Sequence, residues 1–245
     1  MRNIFLFLLS FLFVFPCSAQ TMSDSMAVKS NFKLGEVIMP LSLIGAGTLG
    51  FVEPIKNSRY EVRDFLNEWR GDHRVRVDDY LQYVPLASVY GLSLLGVEAK
   101  HNYVDRTLEL ATSYLALGAI VNGIKYTVRE PRPDGSANNS FPSGHTATTF
   151  MGAELVRIEY GEEHPWFAVG AYTLATATGA LRVYNNQHWL TDVIAGAGAG
   201  ILSARIGYWL LPYTRRMMHR ITGWDMFVAP TASSTGAALN AVVRF

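Results

Sequence analysis

The order of apolar and polar positions predicts a mostly helical chain. Apolar segments rich in small residues recur along it, and polar or Gly/Pro-containing stretches separate them. The segments run at about 36–52, 79–98, 104–128, 144–160, 166–183 and 190–211. Each is long enough for several turns of about 3.6 residues. We therefore expect an all-α fold, a helical bundle of about six main helices with loops gathered at its ends.

One further helix is predicted at about 58–70, where charged residues dominate. The apolar residues of this stretch recur at the i, i+3, i+4, i+7 spacing of a single helical face. They are Val62, Phe65, Leu66 and Trp69. The pattern is typical of an amphipathic helix on the surface of a bundle.

The pattern changes period near the C-terminus, where apolar and polar residues alternate as in a half-buried strand. The alternating apolar residues are Leu239, Ala241, Val243 and Phe245. Phe227 and Ala229 begin a candidate partner strand, and Thr231–Gly236 would turn between the two. We expect a short β-hairpin-like tail over residues 225–245.

The N-terminus has the build of a secretory signal peptide. A short basic start precedes the apolar run Ile4–Phe15, and small residues follow up to Ala19. The run is too short to span a bilayer comfortably. The alternative is a lipoprotein signal that uses Cys17, for which Phe15-Pro16 is a poor lead-in. The expected organisation is a signal peptide (1–19), a polar leader (20–34), a helical domain (35–224) and the tail (225–245).

Composition removes several classes of protein. The 245 residues are 49% hydrophobic and 17% charged, with a net charge of +1, which excludes a disordered chain. Without a basic excess there is no electrostatic case for binding nucleic acid. The single cysteine excludes a disulfide framework and a cysteine-ligated metal site. Residues 1–19 supply nearly all of the summed hydropathy, so a periplasmic and a partly membrane-embedded domain both remain.

Two glycine patterns are interpreted as packing rather than chemistry. Gly45–Gly50 fits the dinucleotide-binding pattern GxGxxG, but the preceding strand and the later acidic residue of a βαβ unit are missing. Gly196, Gly198 and Gly200 alternate with alanines, which predicts a close contact between helices.

Three clusters of polar residues lie at predicted junctions of helix and loop. The first, KYTVREPRP, contains Lys125 and Arg132; the second is Pro142-Ser143-Gly144-His145; the third, RVYNNQHWLTD, contains Arg182, His188 and Asp192. Each cluster alone would be an ordinary set of loop charges or a helix cap. Their order and spacing together point to one site.

The residue types suit an anionic phosphate. Lys125, Arg132 and Arg182 can balance a doubly charged group, and guanidinium forks match its oxygens. Ser143 stands at an expected helix N-cap, where Gly144 and the free amides of the first turn favour anions. His188 and Asp192 are four residues apart, so on a helix the carboxylate would hold one imidazole nitrogen and leave the other free as a nucleophile.

These motifs, K-x6-RP, PSGH and R-x5-H-x3-D, resemble the signature of the type 2 phosphatidic acid phosphatase (PAP2) and vanadium haloperoxidase superfamily, over about residues 80–211. The resemblance implies a helical domain and two-step phosphoryl transfer through a phosphohistidine, without a metal or other cofactor. His188 would attack phosphorus, Asp192 would orient it, and His145 would act as acid and then as base. The expected phosphate-binding residues are Lys125, Arg132, Ser143, Gly144 and Arg182.

The resemblance leaves the substrate and the rate open. Leu181 stands where the family usually has serine before the arginine, so we expect altered rate or selectivity. A phosphatase or pyrophosphatase acting on a membrane lipid is the leading interpretation. The alternatives are a soluble periplasmic acid phosphatase of broad specificity, a vanadate-dependent haloperoxidase, for which the chain is short, and a non-catalytic lipid-phosphate binder.

The expected partners are a phosphorylated lipid and a membrane surface, with the active site facing the periplasm. If all six helices spanned the bilayer, a cleaved signal would place the site in the cytoplasm. Either the signal is retained as an anchor on an altered topology, or some of the main helices do not span. The near-zero hydropathy of the mature chain favours the second alternative. The sequence identifies neither the lipid nor the oligomeric state.

Overall fold

Eight α-helices and one β-hairpin form the part of the chain that a computed structural model describes, residues 32–71, 73–223, 225–233 and 236–244. The predicted signal peptide and most of the polar leader lie outside these residues. The helices are α1 (Gly35–Thr48), α2 (Ile55–Arg70), α3 (Asp78–Leu81), α4 (Val84–Leu94), α5 (Tyr103–Val128), α6 (Gly144–Tyr160), α7 (Pro165–Tyr184) and α8 (Leu190–Thr222). The predicted all-α class is confirmed.

Helix α8 is the axis of the bundle and packs against α1, α5 and α6. Its small residues allow this. A methyl group at Gly196 would come within 2.6 Å of the Ser143 carbonyl oxygen at the start of α6. Gly198 lies against the backbone of Pro40 in α1, and Gly200 against that of Ala147 in α6. The glycine ridge is therefore a packing surface, as predicted.

The long helices alternate in direction, so α5 and α7 end where α6 and α8 begin. Helix α1 runs antiparallel to α8, since Gly47 lies against Ala195 while Glu36 pairs with Arg205, 3.0 Å apart. The three motif-bearing junctions therefore meet at one end of the bundle. The core between the helices is apolar and includes Met151, Ala175 and Ala199, all fully buried.

Two helix boundaries differ from the prediction. The segment predicted at 79–98 is divided into α3 and α4, because Pro85 favours the first turn of a new helix. Helix α8 continues to Thr222, eleven residues beyond the predicted end at 211, although Pro212 lies inside it. The polar residues of this last part hid its continuation from the hydrophobic pattern.

The amphipathic stretch is helical, as α2, but much of its apolar face is exposed. Phe65 and Trp69 are 67% and 73% exposed, whereas Arg59 is buried. Trp69 contacts only the edge of the bundle, where its ring meets that of Tyr184 in α7. A bend of 86° between α1 and α2 places α2 across the end of the bundle and leaves these two side chains largely exposed.

The tail forms the predicted hairpin. Strands β1 (Asp225–Ser233) and β2 (Gly236–Arg244) pair antiparallel, with Asp225 opposite Arg244. The connection is shorter than expected, because Thr231–Ser233 belong to β1 and pair with β2.

Among the described residues, α5 and α8 are long and apolar enough to cross a bilayer, with mean hydropathies of 1.2 and 1.3. The bent pair of α1 and α2 passes the same test only if the two form one broken span. Helices α1 and α4 by themselves have 14 and 11 residues, fewer than the roughly 20 that a span needs.

We expect Gly196→Ala to lower the free energy of unfolding by about 1–3 kcal/mol, because the new methyl group meets a backbone oxygen that cannot move without shifting α6. Gly170→Ala in α7 is the matched control, since a methyl group there meets no described atom within 4 Å. That change should stabilise the helix by about 0.5–1 kcal/mol. Denaturant unfolding in detergent measures both, and a Gly196→Ala protein as stable as wild type would contradict the packing argument.

Candidate active site

The three motif-bearing junctions are joined by direct hydrogen bonds at one end of the bundle. The Ser143 amide donates to the Asp192 carbonyl oxygen (3.0 Å), which ties the start of α6 to the start of α8. The Trp189 indole donates to the Pro131 carbonyl oxygen (2.9 Å), which ties the loop after α5 to the same place. The sequence clusters therefore form one site.

His188, Ser140 and Asp192 form the buried centre of this site. The Asp192 carboxylate accepts a short hydrogen bond from the Ser140 hydroxyl, and that hydroxyl lies 3.3 Å from His188 Nδ1. Nδ1 itself is 3.5 Å from Asp192 Oδ2. This separation is longer than a hydrogen bond, and such contacts in ligand-free sites often tighten on binding substrate.

The expected helical face shared by His188 and Asp192 is wrong. Helix α8 begins at Leu190 with Trp189 as its N-cap, so His188 lies in the preceding turn. The pair meets because Asp192 is the third residue of the helix and accepts a hydrogen bond from the Trp189 amide (2.9 Å). This capping contact directs the carboxylate back toward the turn. Within the described residues, Asp192 Oδ1 is buried without a hydrogen-bond partner.

Lys125 and Arg132 converge on the loop that precedes α6. The Lys125 ammonium donates a short hydrogen bond to the Asn139 carbonyl oxygen. Arg132 Nε donates to the Asn139 side-chain oxygen (2.9 Å). Asn139 therefore holds both cations beside Ser140 and the nucleophile candidate.

Arg182 is held from two sides at the end of α7. Its guanidinium pairs with the buried Asp78 carboxylate (2.8 Å) and with Asp79 (3.4 Å), both in α3. On the other side, Gln187 Oε1 accepts hydrogen bonds from Arg182 (3.4 Å) and Arg132 (3.2 Å). Gln187 therefore sets the spacing of the two guanidinium groups.

His145 lies at the more open edge of the site, with 29% of its side chain exposed. Its Nε2 is 3.1 Å from Asp79 Oδ1. Ser143 is the N-cap residue of α6, as predicted, but its buried hydroxyl accepts a hydrogen bond from Thr146 (2.9 Å) instead of capping the helix. A methyl group at Gly144 would meet no described atom within 4 Å, so an anion can approach this amide.

Burial favours the neutral form of both imidazoles. Burial lowers the pKa of His188 to about 4, although Asp192 opposes the shift. Burial and the charge of Arg182 lower the pKa of His145, and Asp79 opposes this shift. Burial and the charge of Arg182 also lower the pKa of Arg132, which shows how closely the cations converge.

The site opens on two flanks. Arg74 and Arg76 line a cavity of about 210 Å³ next to Arg182. Lys125 and Asn139 line a second one of about 310 Å³. Asp78 and Asp79 also line the first cavity, where three arginines outnumber them, so both flanks carry an excess of positive side chains that favours a negatively charged ligand.

Sequence reasoning missed five residues of the site: Asn139, Ser140, Asp78, Asp79 and Gln187. Asn139, Ser140 and Gln187 lie close to motif residues in the sequence, which weakly indicated a role in the site. Their residue types did not distinguish them from other loop residues. Nothing in the sequence indicated that the two aspartates contact Arg182, because they lie more than 100 residues from it in the chain.

Comparison with known proteins points to one family. The profile of the PAP2 superfamily matches residues 106–216, which contain all eight predicted site residues. Over this segment the chain is similar to the PAP2 superfamily, and the motifs lie on the helix junctions that the resemblance implied.

Two relatives are similar in sequence. The chain is 34% identical over 233 residues to the lipid A 1-phosphatase of Porphyromonas gingivalis, an alignment that covers 85% of this chain and 51% of the relative. It is 36% identical over 75 residues to the bacitracin transport permease protein BcrC of Bacillus licheniformis, covering 31% of this chain and 35% of that protein. The chain therefore spans about half the length, or less, of these two relatives.

Two solved structures are similar in shape. LpxE of Aquifex aeolicus superposes with a TM-score of 0.45 and 19% identity, over 59% of this chain and 92% of that one. A transmembrane PAP2 type phosphatidylglycerolphosphate phosphatase of Bacillus subtilis superposes with a TM-score of 0.46 and 15% identity, over 76% and 96%.

We expect Asp79→Asn to lower the pKa of His145 further, because Asp79 favours the protonated imidazole by charge and by a hydrogen bond. An NMR titration of the imidazole protons, assigned with His145→Gln, measures the change. Asp64→Asn is the control, since Asp64 is exposed on α2 and pairs with Arg63 instead. A raised or unchanged His145 pKa in Asp79→Asn would show that the contact with α3 does not act on this imidazole.

Proposed function

We propose that this protein is a phosphatase that hydrolyses the phosphomonoester or pyrophosphate of a membrane lipid through a phosphohistidine intermediate. One observation carries the proposal. A buried imidazole that is oriented by Asp192 and Ser140 lies among Lys125, Arg132 and Arg182, with a second histidine at the open edge. This arrangement provides a nucleophile, a phosphate site and an acid–base group together.

In the first step, the lone pair of His188 Nε2 forms a bond to phosphorus while the bond from phosphorus to the ester oxygen breaks. Protonated His145 gives its proton to the leaving oxygen. The low pKa of His188 keeps its lone pair available, and Asp192 stabilises the positive charge that develops on the ring. A bound phosphate dianion favours the protonated form of His145. Its charge therefore offsets the effect of burial, which lowers the pKa of His145.

In the second step, neutral His145 takes a proton from water as the water oxygen forms its bond to phosphorus. The P–N bond breaks, its electron pair returns to His188 Nε2, and inorganic phosphate leaves. Three side-chain cations and the amide of Gly144 stabilise the charge on the equatorial oxygens in both steps. These groups supply the positive charge of the reaction, so the proposal includes no metal ion or cofactor.

Substrate binding would replace some of the hydrogen bonds and ion pairs within the site. Asp79 contacts both Arg182 and His145, and its side chain is 54% exposed. An incoming phosphate competes with Asp79 for the same two groups. Asp78 is buried and also accepts a hydrogen bond from Asn185 (3.2 Å), so it remains as the support of Arg182.

A lipid substrate is supported by helix α2. This helix lies across the site end of the bundle and exposes Phe65 and Trp69, while its buried Arg59 pairs with Glu130 in the first motif (2.6 Å). An amphipathic helix that lies in the plane of a membrane surface has this form. The relative in Porphyromonas gingivalis makes a lipid A-type phosphate the leading substrate. The other lipids considered are undecaprenyl pyrophosphate, phosphatidylglycerophosphate and phosphatidate.

The proposed location is the membrane, with the site facing the periplasm. Helix α5 ends and α8 begins at the site, so the two spanning candidates bring it to one face of the bilayer. The short lengths of α1 and α4 support a domain in which some helices do not span. If α5 spans, a site that faces the periplasm places the start of α5 in the cytoplasm. A signal segment retained as an anchor on an altered topology allows this arrangement, whereas a cleaved signal requires that α5 does not span.

We expect His188→Ala to abolish turnover, by roughly 10³-fold or more, and to leave no labelled phosphoenzyme in a rapid-quench experiment. His145→Ala should mainly prevent protonation of the leaving group. The turnover rate of this variant should fall by about 10²–10⁴-fold for a lipid phosphate. The fall should be smaller for p-nitrophenyl phosphate, whose leaving group needs little proton assistance.

His164→Ala is the matched control, because this histidine is exposed at the start of α7, at the other end of the bundle. It should keep wild-type rates. Near wild-type turnover by His188→Ala would refute the nucleophile assignment.

A phosphate-release assay over the four lipid classes, with p-nitrophenyl phosphate as the soluble substrate, tests the substrate class. We expect kcat/KM for at least one lipid to exceed that for p-nitrophenyl phosphate by about tenfold or more, because α2 would hold the protein at the lipid surface. Phe65→Ser should reduce turnover of lipid in vesicles but not of p-nitrophenyl phosphate. Trp166→Ser, which alters an exposed tryptophan at the other end of the bundle, is the control. Faster turnover of p-nitrophenyl phosphate than of every lipid would instead support a soluble acid phosphatase.

We expect a cysteine introduced by Ser136→Cys to react with an impermeant thiol reagent in intact cells, because this exposed residue lies in the loop beside the site. The wild-type chain controls for Cys17. Labelling of Ser136→Cys only after lysis would place the site in the cytoplasm and contradict the proposed orientation.

A further inference from the structure

A second polar cluster lies at the end of the bundle opposite the active site. It consists of His101 in the loop before α5, Glu109 in α5 and Glu159 at the end of α6, and we call it the His101 cluster. One ligand atom from each residue lies within 4.8 Å of the others. Glu159 follows His145 by fourteen residues on α6, so at about 1.5 Å per residue the two sites are about 21 Å apart.

The cluster is buried and short of positive charge. Both carboxyl groups are 1% exposed and the imidazole is 7% exposed. Glu159 is well partnered, since it accepts a hydrogen bond from the His101 amide (3.0 Å) and lies 2.6 Å from His101 Nδ1. A single imidazole cannot balance two carboxylates.

Glu109 is the unbalanced member. Its Oε2 lies 3.9 Å from His101 Nδ1, while its Oε1 is buried and has no hydrogen-bond partner among the described residues. Two cations of this region are engaged elsewhere. Lys100 pairs with Glu162 (3.5 Å), and Arg106 donates to the Val89 carbonyl oxygen and to two hydroxyl groups. An unpaired buried carboxylate is costly, so this oxygen needs a ligand or a proton.

We propose that His101, Glu109 and Glu159 bind a divalent transition-metal ion, with Zn²⁺ as the best match. One imidazole nitrogen and two carboxylate oxygens are a common donor set for this ion, at about 2.0–2.2 Å from the metal. The ion takes the place of the proton between His101 Nδ1 and Glu159. The distance between His101 Nδ1 and Glu159 Oε1, which is 2.6 Å in this structure, would then increase. Glu109 Oε2, which lies 3.9 Å from His101 Nδ1, would move toward the ion.

The bound ion is structural. It joins the loop before α5 and the second turn of α5 to the last turn of α6, where the Lys100 amide already bonds the Glu159 carbonyl oxygen (2.9 Å). Glu109 is a buried ionisable residue in the second turn of a helix that can span a membrane; such a residue needs a partner, and the ion supplies it. The proposal does not rest on the phosphatase activity, because the cluster is remote from His188.

The test uses the full chain purified in detergent without chelator. We expect about one equivalent of zinc by mass spectrometry of the metal content. We also expect ZnCl₂ to raise the thermal midpoint of EDTA-treated protein by roughly 4 °C or more. Wild-type protein that carries no metal and shows no shift with ZnCl₂ or MnCl₂ would overturn the proposal.

Glu109→Gln should lose both the bound metal and the shift. Glu162→Gln should keep them, since Glu162 is exposed at the same end of the bundle but outside the cluster. If the two carboxyl groups share a proton instead, Glu109→Gln is at least as stable as wild type without metal, and neither protein responds to zinc. That result refutes the site. His101→Gln, checked for folding by circular dichroism, gives the same test should Glu109→Gln fail to fold.

Discussion

The contact between the start of α6 and the first turns of α8 is the constraint on which the rest of the site depends. The Ser143 amide reaches the Asp192 carbonyl oxygen because Gly196, one turn later, leaves room for the Ser143 backbone. In the proposed mechanism, one helix supplies the amides for the phosphate and the other supplies the group that orients His188. Their close approach therefore fixes the distance between the proposed nucleophile and the proposed phosphate site.

Charge imposes the second constraint. Three cations that converge in a partly buried site repel one another, so the empty site needs counter-charges. Asp78 and Asp79 provide these at Arg182, while Asn139 and Gln187 hold the other cations through neutral oxygens. Because one aspartate is buried and the other is exposed, substrate can displace part of this counter-charge and leave the arginine in place.

The sequence predicted the helices and the motif residues, because burial of one face leaves a periodic pattern and the motif spacing is local. It did not predict contacts between distant segments. Asp78 reaches Arg182 across 104 positions, and no hydrophobic pattern pairs them. The exposure of Phe65 was also missed, since it depends on the bend between α1 and α2. His188 showed that a correct pairing can rest on a wrong local structure, as its helix begins two residues later.

The substitution of Leu181 for the usual serine becomes less consequential in this setting. A hydroxyl beside the arginine could help to position the guanidinium, yet Arg182 is already held by Asp78 at 2.8 Å and by Gln187 at 3.4 Å. A buried ion pair constrains a side chain more strongly than a hydroxyl contact does, since both partners are withdrawn from water. The positioning of Arg182 thus rests on α3 rather than on its own neighbour. As a consequence, α3, a helix of only four residues, must stay packed against Arg182 for the proposed phosphate site to keep its shape.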